Sequence, residues 1–330
     1  MLTIHRSKMR VSTIVLCCGL IVLFAQGCAG PTLMAAQQLS KAGATAAAQA
    51  QQNSVLSSDA FAHFQDAEAF HQGIVKNETE SADAKTIQSD MADIQKELTA
   101  RANVFQSLSS AYTALGNLAA YSASTDFNTA FDGLSKSVTT YRSVLHLPAV
   151  SGLDVKAIEA GGDFLLGLEQ KDAVVTASKQ IHAVLNTTIA SMSDPLTTAQ
   201  FTTFQAVGTE DATSAAQVLY AKGYYSSTPM LTSLGSPMSL SLVANSDAMV
   251  AKDDSIHRGL GAVLRQRAQR QQDAIITSYQ QSEAALKALV PLHERLENGE
   301  PLDFSEIVSI TGELAATANS LATAATPPKK

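Results

Sequence analysis

The chain has 330 residues, of which 45% are hydrophobic and 16% are charged, and its formal net charge is -7. The apolar fraction is too high for a disordered protein, and 18 glycines and 3 cysteines are too few for a collagen-like chain or a disulfide scaffold. The acidic balance excludes a typical nucleic-acid-binding protein, which needs a concentrated basic surface to displace phosphate counterions. We therefore expect a folded body of one large domain or two modest ones.

The first residues have the charge and hydropathy pattern of an export signal. Arg6, Lys8 and Arg10 come without any acidic residue, and an apolar run of 15 residues follows over positions 11–25. A helix that spans a bilayer needs about 20 apolar residues, so the run is too short for a permanent anchor. It predicts the apolar core of a cleaved signal peptide.

The apolar run ends in Ala25, Gln26, Gly27 and Cys28. This ending resembles the lipobox of bacterial lipoproteins, in which small residues precede the cysteine that becomes lipidated; Gln26 departs from the commoner Ala or Ser. The resemblance covers about residues 1–30. It implies that signal peptidase recognises residues 25–27, that residues 1–27 are removed, and that Cys28 carries acyl chains such as palmitate. The alternative is a secreted protein that is cut elsewhere.

The cysteines and the residue after Cys28 indicate where the protein is located. Cys17 and Cys18 lie inside the apolar run, so cleavage leaves Cys28 as the one cysteine of the mature chain. Two or more acyl chains are enough for stable anchoring. By analogy with enterobacterial sorting, Ala29 rather than Asp after the cysteine implies the outer membrane. We expect a protein on the periplasmic face of that membrane, with the lipid bilayer as its partner through the acyl chains.

The body of the chain has helical periodicity. Residues 28–57 are rich in Ala, Gln and Ser, and they fit a flexible tether and a first helix equally well. From about Ala84 to Ala120, apolar residues recur at alternating gaps of three and four, which is typical of a coiled-coil seam. Only Arg101 interrupts this seam, and we expect its guanidinium to reach water. A second seam, from Phe127 to Leu145, follows after about five residues, so the two helices should be antiparallel.

Further helices are predicted over about residues 153–192, 196–222 and 240–298, with Pro291 kinking the last of them. An irregular loop is expected near residues 223–237, and Asp303 with Glu306 resembles a capping box for a final helix. Residues 326–330 read as a tail, and no long alternating β pattern occurs. The predicted fold class is all-α: an elongated antiparallel helical bundle over residues 58–325, with long coiled-coil-like helices.

Motifs for catalysis and metal binding are not evident. Neither a Gly-rich phosphate loop nor a G-x-S-x-G nucleophile elbow occurs. His293-Glu294 begins like a zinc-protease motif, but Glu297 stands where the second histidine is needed. We expect a solvated, charged helix end there instead. Glu68 and Asp254 are each followed three residues later by a histidine, the spacing that helical di-iron sites use, but such spacings also arise by chance in helices. The additional carboxylates that a di-iron site requires cannot be identified in the sequence. We expect no catalytic residue, metal or cofactor.

Four arginines form a possible polar contact patch in the acidic body: Arg258, Arg265, Arg267 and Arg270. Such a patch suits anionic lipid headgroups, glycan or an acidic partner. The alternative is a solvated helix face that exchanges salt bridges with acidic neighbours such as Glu68 or Asp90.

These observations predict a lipid-anchored envelope protein without catalysis, whose helical bundle contacts other envelope components, with a protein partner possible and no nucleic acid. One alternative is a binding module that holds an apolar ligand between helices; its identity is unknown, and its lining would come from Phe61, Phe64, Phe127, Phe131, Phe201 and Phe204. Another alternative is a membrane-active helical protein with a concealed apolar hairpin.

Overall fold

A computed structural model describes residues 30–71, 73, 82–121, 123–147, 165, 168–193, 213–214, 216–219, 222, 224, 226–241 and 254–325. Its helices are α1 (Pro31–His71), α2 (Ala82–Tyr121), α3 (Ser124–Val144), α4 (Gln170–Met192), α5 (Thr228–Gly235), α6 (Asp254–Asn298) and α7 (Ser305–Ala325), with a 3-10 turn at Ser236–Met238. None of these described residues lies in a β-strand. The predicted all-α class is confirmed.

Helices α1 and α2 pack side by side in opposite directions. Ser109 Oγ donates to the Ala44 carbonyl over 3.1 Å, and Gln95 Nε2 donates to Ser58 Oγ over 2.7 Å. The later residue of α2 thus meets the earlier residue of α1, which shows that the two helices are antiparallel. Of the segment that the sequence left open between tether and helix, residues 31–57 are helical. Its small side chains face the core: Ala36, Ala46, Ala47 and Ala50 are buried.

The two predicted seams lie in α2 and α3. Their buried members are Met91, Ile94, Leu98, Phe105, Leu108, Tyr112, Leu115 and Ala119 in α2, and Phe127, Phe131, Leu134, Val138 and Tyr141 in α3. Ser107 and Ser137 share a hydrogen bond of 2.7 Å between the helices. Because a short turn joins them, α2 and α3 form the predicted antiparallel pair.

Side-chain contacts fix the directions of the remaining helices. His293 of α6 meets Tyr112 of α2, and Tyr279 meets Arg101, so α6 runs parallel to α2. Contacts of α6 with α4 run in the opposite sense, from Ser178 opposite His293 to Met192 opposite Tyr279. Helices α3 and α4 consequently point the same way although they are consecutive in the chain.

A tight turn joins α6 to α7. Gly299 adopts φ +72°, and the Glu300 N–H donates to the Arg295 carbonyl over 2.8 Å, which ends α6 where Asn298-Gly299 predicted. Asp303 Oδ1 accepts the Ser305 N–H at 3.0 Å at the start of α7. The Asp303 carboxylate thus caps the helix through Ser305 rather than through Glu306.

Other sequence-based boundaries differ from the structure or lie outside it. Leu240 and Ser241 are not helical, and α6 is described from Asp254 onward, continuing to Asn298 through Pro291. The expected irregular loop at 223–237 contains α5, with Pro229 near its start where a missing N–H costs nothing. The helical predictions over 153–164 and 196–212 and the tail at 326–330 lie outside the described residues.

A layer of buried polar side chains divides the apolar core into two clusters. The larger cluster is shared by α1, α2, α3, α4, α6 and α7, in the half of the bundle where α1 begins. The smaller one contains Ala60, Phe61, Phe64, Met91, Ile94, Leu98, Ile275, Tyr279 and Leu321. Between them lies what we term the polar layer: Asn53, Ser54, Ser57, Ser58, Glu97, Arg101, Ser278 and Ser282, all buried. Asn53 Nδ2 ties this layer to α7 by donating to the Leu314 carbonyl over 2.9 Å.

Candidate functional site

Arg101 is the centre of the polar layer. Its side chain is only 1% exposed, so the expectation that the guanidinium reaches water is wrong. Nη2 donates to the Tyr279 carbonyl over 2.7 Å, and the guanidinium carbon lies 3.5 Å from the centroid of the Tyr279 ring. A second ring, that of Phe105, lies 5.7 Å away. The planar cation is held by a carbonyl and by aromatic faces, which replace its hydration.

Glu97 lies one turn before Arg101 and is also buried. The Tyr279 hydroxyl lies 3.2 Å from the Met192 carbonyl oxygen and 3.4 Å from Glu97 Oε1 and shares its proton between them. Burial raises the pKa of Glu97 to about 7, against the opposing effect of the Arg101 charge. This carboxyl therefore changes charge near neutral pH inside the bundle.

A second polar cluster, which we term the His293 cluster, lies in the larger apolar core. His293 is fully buried; its Nε2 lies 2.7 Å from the Tyr112 hydroxyl and its Nδ1 lies 2.7 Å from Ser178 Oγ. Burial lowers the pKa of His293 to about 3, and the neighbouring His182 contributes in the same direction. A neutral imidazole satisfies both hydroxyls, because one ring nitrogen donates and the other accepts.

The edge of the His293 cluster reaches the surface at His182. The His182 and His293 rings stack with centroids 6.0 Å apart, and His182 Nδ1 lies 3.3 Å from Glu297 Oε1. The expected solvated helix end is therefore correct for Glu294, which is 58% exposed, and wrong for His293. Across the described ranges, no group of three or more His, Cys, Asp or Glu side chains is arranged to hold a metal ion.

The four predicted arginines all lie on α6 and are exposed. At about 100° per residue, Arg258 and Arg265 share one face, whereas Arg267 and Arg270 lie roughly a third to half of a turn around the helix. Arg267 Nη2 donates to Ser233 Oγ of α5 over 2.8 Å, and Arg270 Nε reaches the Gln266 carbonyl in its own helix. The structure thus gives two pairs of cations on different faces of one helix rather than a single compact patch.

These arginines lie far from the start of α1. The contacts between Gln95 and Ser58, and between Arg101 and Tyr279, place Arg270 level with a point about 30 residues along α1. At about 1.5 Å per residue this is roughly 45 Å, and Arg258 lies farther still. We call the end of the bundle where α1 begins the proximal end and the end that carries the arginines the distal end.

The phenylalanines proposed for an apolar pocket do not come together. Phe61 and Phe64 belong to the smaller apolar cluster, and Phe127 and Phe131 stack in the larger one with centroids 5.9 Å apart. Phe201 and Phe204 lie outside the described residues. Another feature is an open groove of about 360 Å³ between α1 and α7, lined by Gln38, Lys41, Ala42, Thr45, Phe304, Ile307, Val308 and Thr311.

The predicted lipidation site is not covered by the structure. Ala25, Gln26, Gly27 and Cys28 lie outside the described residues. No helix within the described ranges is long and apolar enough to cross a membrane.

Sequence reasoning missed both buried polar clusters. The signal for the first was Arg101 itself, the one charged residue on an otherwise apolar seam, with serines recurring at helical spacing in α1 and α6. The signal for the second was weaker, since Tyr112, Ser178 and His293 are far apart in sequence. Their meeting depends on the packing of three helices.

In comparisons with known proteins, no family model, no curated protein and no solved structure matches the chain.

Proposed function

We propose that this chain is a lipid-anchored protein of the bacterial cell envelope. In this proposal Cys28 carries the acyl chains, and the helical bundle acts through contacts with other envelope components, without catalysis. The periplasmic face of the outer membrane is the proposed location, from Ala29 after the lipidated cysteine. The lipobox-like ending of the signal segment carries the proposal.

The position of α1 supports this arrangement. Helix α1 begins at Pro31, three residues after Cys28. Acyl chains on Cys28 would therefore hold the proximal end of the bundle close to the lipid surface. The distal arginines would then face away from that membrane, roughly 50 Å into the surrounding space.

The burial of the polar side chains in the polar layer and the His293 cluster favours a role in contact over a role in catalysis. Glu97, Arg101, Ser178 and His293 are all buried, and their hydrogen bonds join helices to one another. A catalytic acid or base must reach its substrate directly or through one water. In these two clusters the polar side chains serve the packing of the bundle.

Lipidation is tested by replacing single cysteines. We expect Cys28→Ser to move the protein from the envelope fraction to the soluble fraction and to remove the acyl mass from the intact protein. Cys17→Ser and Cys18→Ser are matched controls, because both cysteines lie in the segment that cleavage removes, and they should leave fractionation unchanged. A Cys28→Ser protein that stays with the envelope as fully as the parent contradicts the proposal.

Contact at the distal end is tested by crosslinking in cells. A photo-crosslinking residue at Arg258 or at Arg265 should capture a reproducible partner, whereas the same residue at exposed Lys171, near the proximal end, should not. Capture that is no different between the two ends contradicts the distal contact. It leaves the lipidation result unaffected, so the two parts of the proposal are separable.

The groove between α1 and α7 favours a second candidate, an apolar ligand held between helices. Its volume of about 360 Å³ is within the range of small-molecule sites. Native mass spectrometry of the purified protein should detect a bound apolar molecule that is lost in Ala42→Trp, which fills the groove. A spectrum with the mass of the protein alone rejects this candidate.

A further inference from the structure

We propose that the polar layer contains a binding site for one internal water molecule, held between Arg101 Nη1 and Ser57 Oγ. This site lies inside the bundle and does not depend on the lipid anchor or on any partner.

A small cavity lies beside Arg101, at the junction of α1, α2 and α6. Its volume is about 10 Å³, which is close to that of one water-sized sphere. It is lined by Ser54, Ser57, Leu98, Arg101, Ile275, Ser278, Tyr279 and Ser282. Polar side chains thus surround a space with room for one small molecule.

Two atoms at this cavity have no protein partner within the described part of the chain. Arg101 Nη1 and Ser57 Oγ are both buried and make no hydrogen bond to another protein atom. A buried donor without a partner has lost its hydration with nothing in exchange, and a charged donor loses more, so a partner inside the cavity is strongly favoured. A water that accepts from Nη1 and donates to Ser57 Oγ satisfies both atoms.

The other hydroxyls decide between water and an anion. Ser54 Oγ donates to the Ala50 carbonyl over 2.9 Å, and Ser282 Oγ donates to the Ser278 carbonyl over 2.7 Å. Their protons are therefore engaged, and only their lone pairs remain for a ligand. An anion can only accept hydrogen bonds, so it finds no donor in these two serines and faces their lone pairs. Water has protons to donate to such lone pairs, and the site selects it.

A crystal structure of the purified protein, at a resolution that shows internal waters, tests the proposal. We expect a single density peak about 2.7–3.2 Å from both Arg101 Nη1 and Ser57 Oγ. Crystals soaked in bromide should show no anomalous peak there. A bromide peak would mean an anion site, and a map without any peak would mean that the two atoms stay unpaired; either result overturns the proposal.

Two variants sharpen the test. Ser57→Val removes the hydroxyl and fills the cavity with methyl groups, so the peak should be lost. Ser110→Ala removes an exposed α2 hydroxyl that bonds only to its own helix, and the peak should remain. If Ser57→Val does not fold, the wild-type map and the bromide soak still decide the matter.

Discussion

The guanidinium of Arg101 lies over the ring of Tyr279, with its carbon 3.5 Å from the ring centroid, while Nη2 donates to the carbonyl of the same tyrosine. One residue of α6 thus supplies both a π face and a carbonyl to a cation of α2. This double contact holds a full positive charge between two apolar clusters. Replacing Arg101 should therefore reduce the stability of the bundle strongly.

Replacing Arg101 should destabilise the bundle strongly. Arg101→Met keeps the length of the side chain but removes the charge beside Glu97 and the bond to Tyr279. We expect a loss of about 3 kcal/mol, at the low end for breaking a buried pair because Glu97 can take up a proton. Urea unfolding at neutral pH measures it. Arg265→Met, at an exposed site on α6, should change stability by less than about 0.5 kcal/mol, and equal losses in the two variants would contradict this account.

Glu97 should make the protein less stable as pH rises. Its pKa is about 7 in the folded bundle and near 4.5 in the unfolded chain, so the folded state holds the proton more tightly. The contribution is fully present below pH 4.5 and is lost as pH rises through 7. The difference corresponds to about 3 kcal/mol.

The matched variants for this effect are Glu97→Gln and Glu313→Gln. When unfolding free energies are measured at several pH values, Glu97→Gln should remove the loss of stability that Glu97 causes as pH rises. Glu313→Gln, at an exposed carboxyl of α7, should retain that loss. A Glu97→Gln profile parallel to that of the wild type would show that this carboxyl does not titrate in the expected range.

His293 should act in the opposite sense. Its folded pKa of about 3 lies below the unfolded value of 6.5, so the unfolded chain binds the proton more tightly. Its contribution is present above pH 6.5 and is lost as pH falls toward 3, by an amount on the order of 5 kcal/mol. His293→Gln should abolish this acid sensitivity, although it costs stability at neutral pH. His63→Gln, at an exposed site on α1, is the control and should keep the wild-type profile.

The two titrations overlap between about pH 4.5 and 6.5 and oppose each other. The wild-type protein should therefore show a flatter stability profile in this range than either variant. Glu97→Gln should expose the rise with pH that His293 causes, and His293→Gln should expose the fall that Glu97 causes. Identical slopes for both variants would contradict the opposition.

Two glycines give a test of the packing of α1 on α2. A Cβ built on Gly43 would overlap the ring of Tyr112, whose hydroxyl bonds to His293. We expect Gly43→Ala to destabilise the protein by about 1–3 kcal/mol through overpacking. At Gly133 in α3 the same methyl meets nothing within 4 Å, so Gly133→Ala should stabilise by about 0.5–1 kcal/mol. Thermal unfolding measures both, and a stabilising Gly43→Ala would contradict the close approach.

The sequence predicts the helices best where large apolar side chains repeat. The seams of α2 and α3 are buried as expected from Met91 to Ala119 and from Phe127 to Tyr141. The pattern of α1 is compatible with two structures, because alanine gains little from burial and fits both a solvated stalk and a tight interface. Contacts from α2, such as that of Tyr112 with Gly43, form the interface.

The polar clusters depend on contacts between residues that are far apart in the chain, so the local sequence pattern does not predict them. A seam arginine is expected to reach water, since its long side chain permits that at small cost. In the bundle a carbonyl and a ring of α6 meet it instead, 178 residues away in the chain. Likewise, His293 becomes buried because Tyr112 and Ser178 converge on it from two other helices.

The polar layer also limits how the long helices can slide past one another. Seams of alanine and leucine are nearly the same after each turn, so a displacement of about 5.4 Å would exchange one apolar contact for another. Such a shift of α2 against α6 would take Arg101 away from the Tyr279 carbonyl and ring and leave its buried charge without these partners. One cation near the middle of the rod thus excludes the slipped alignments and leaves the bundle a single axial setting.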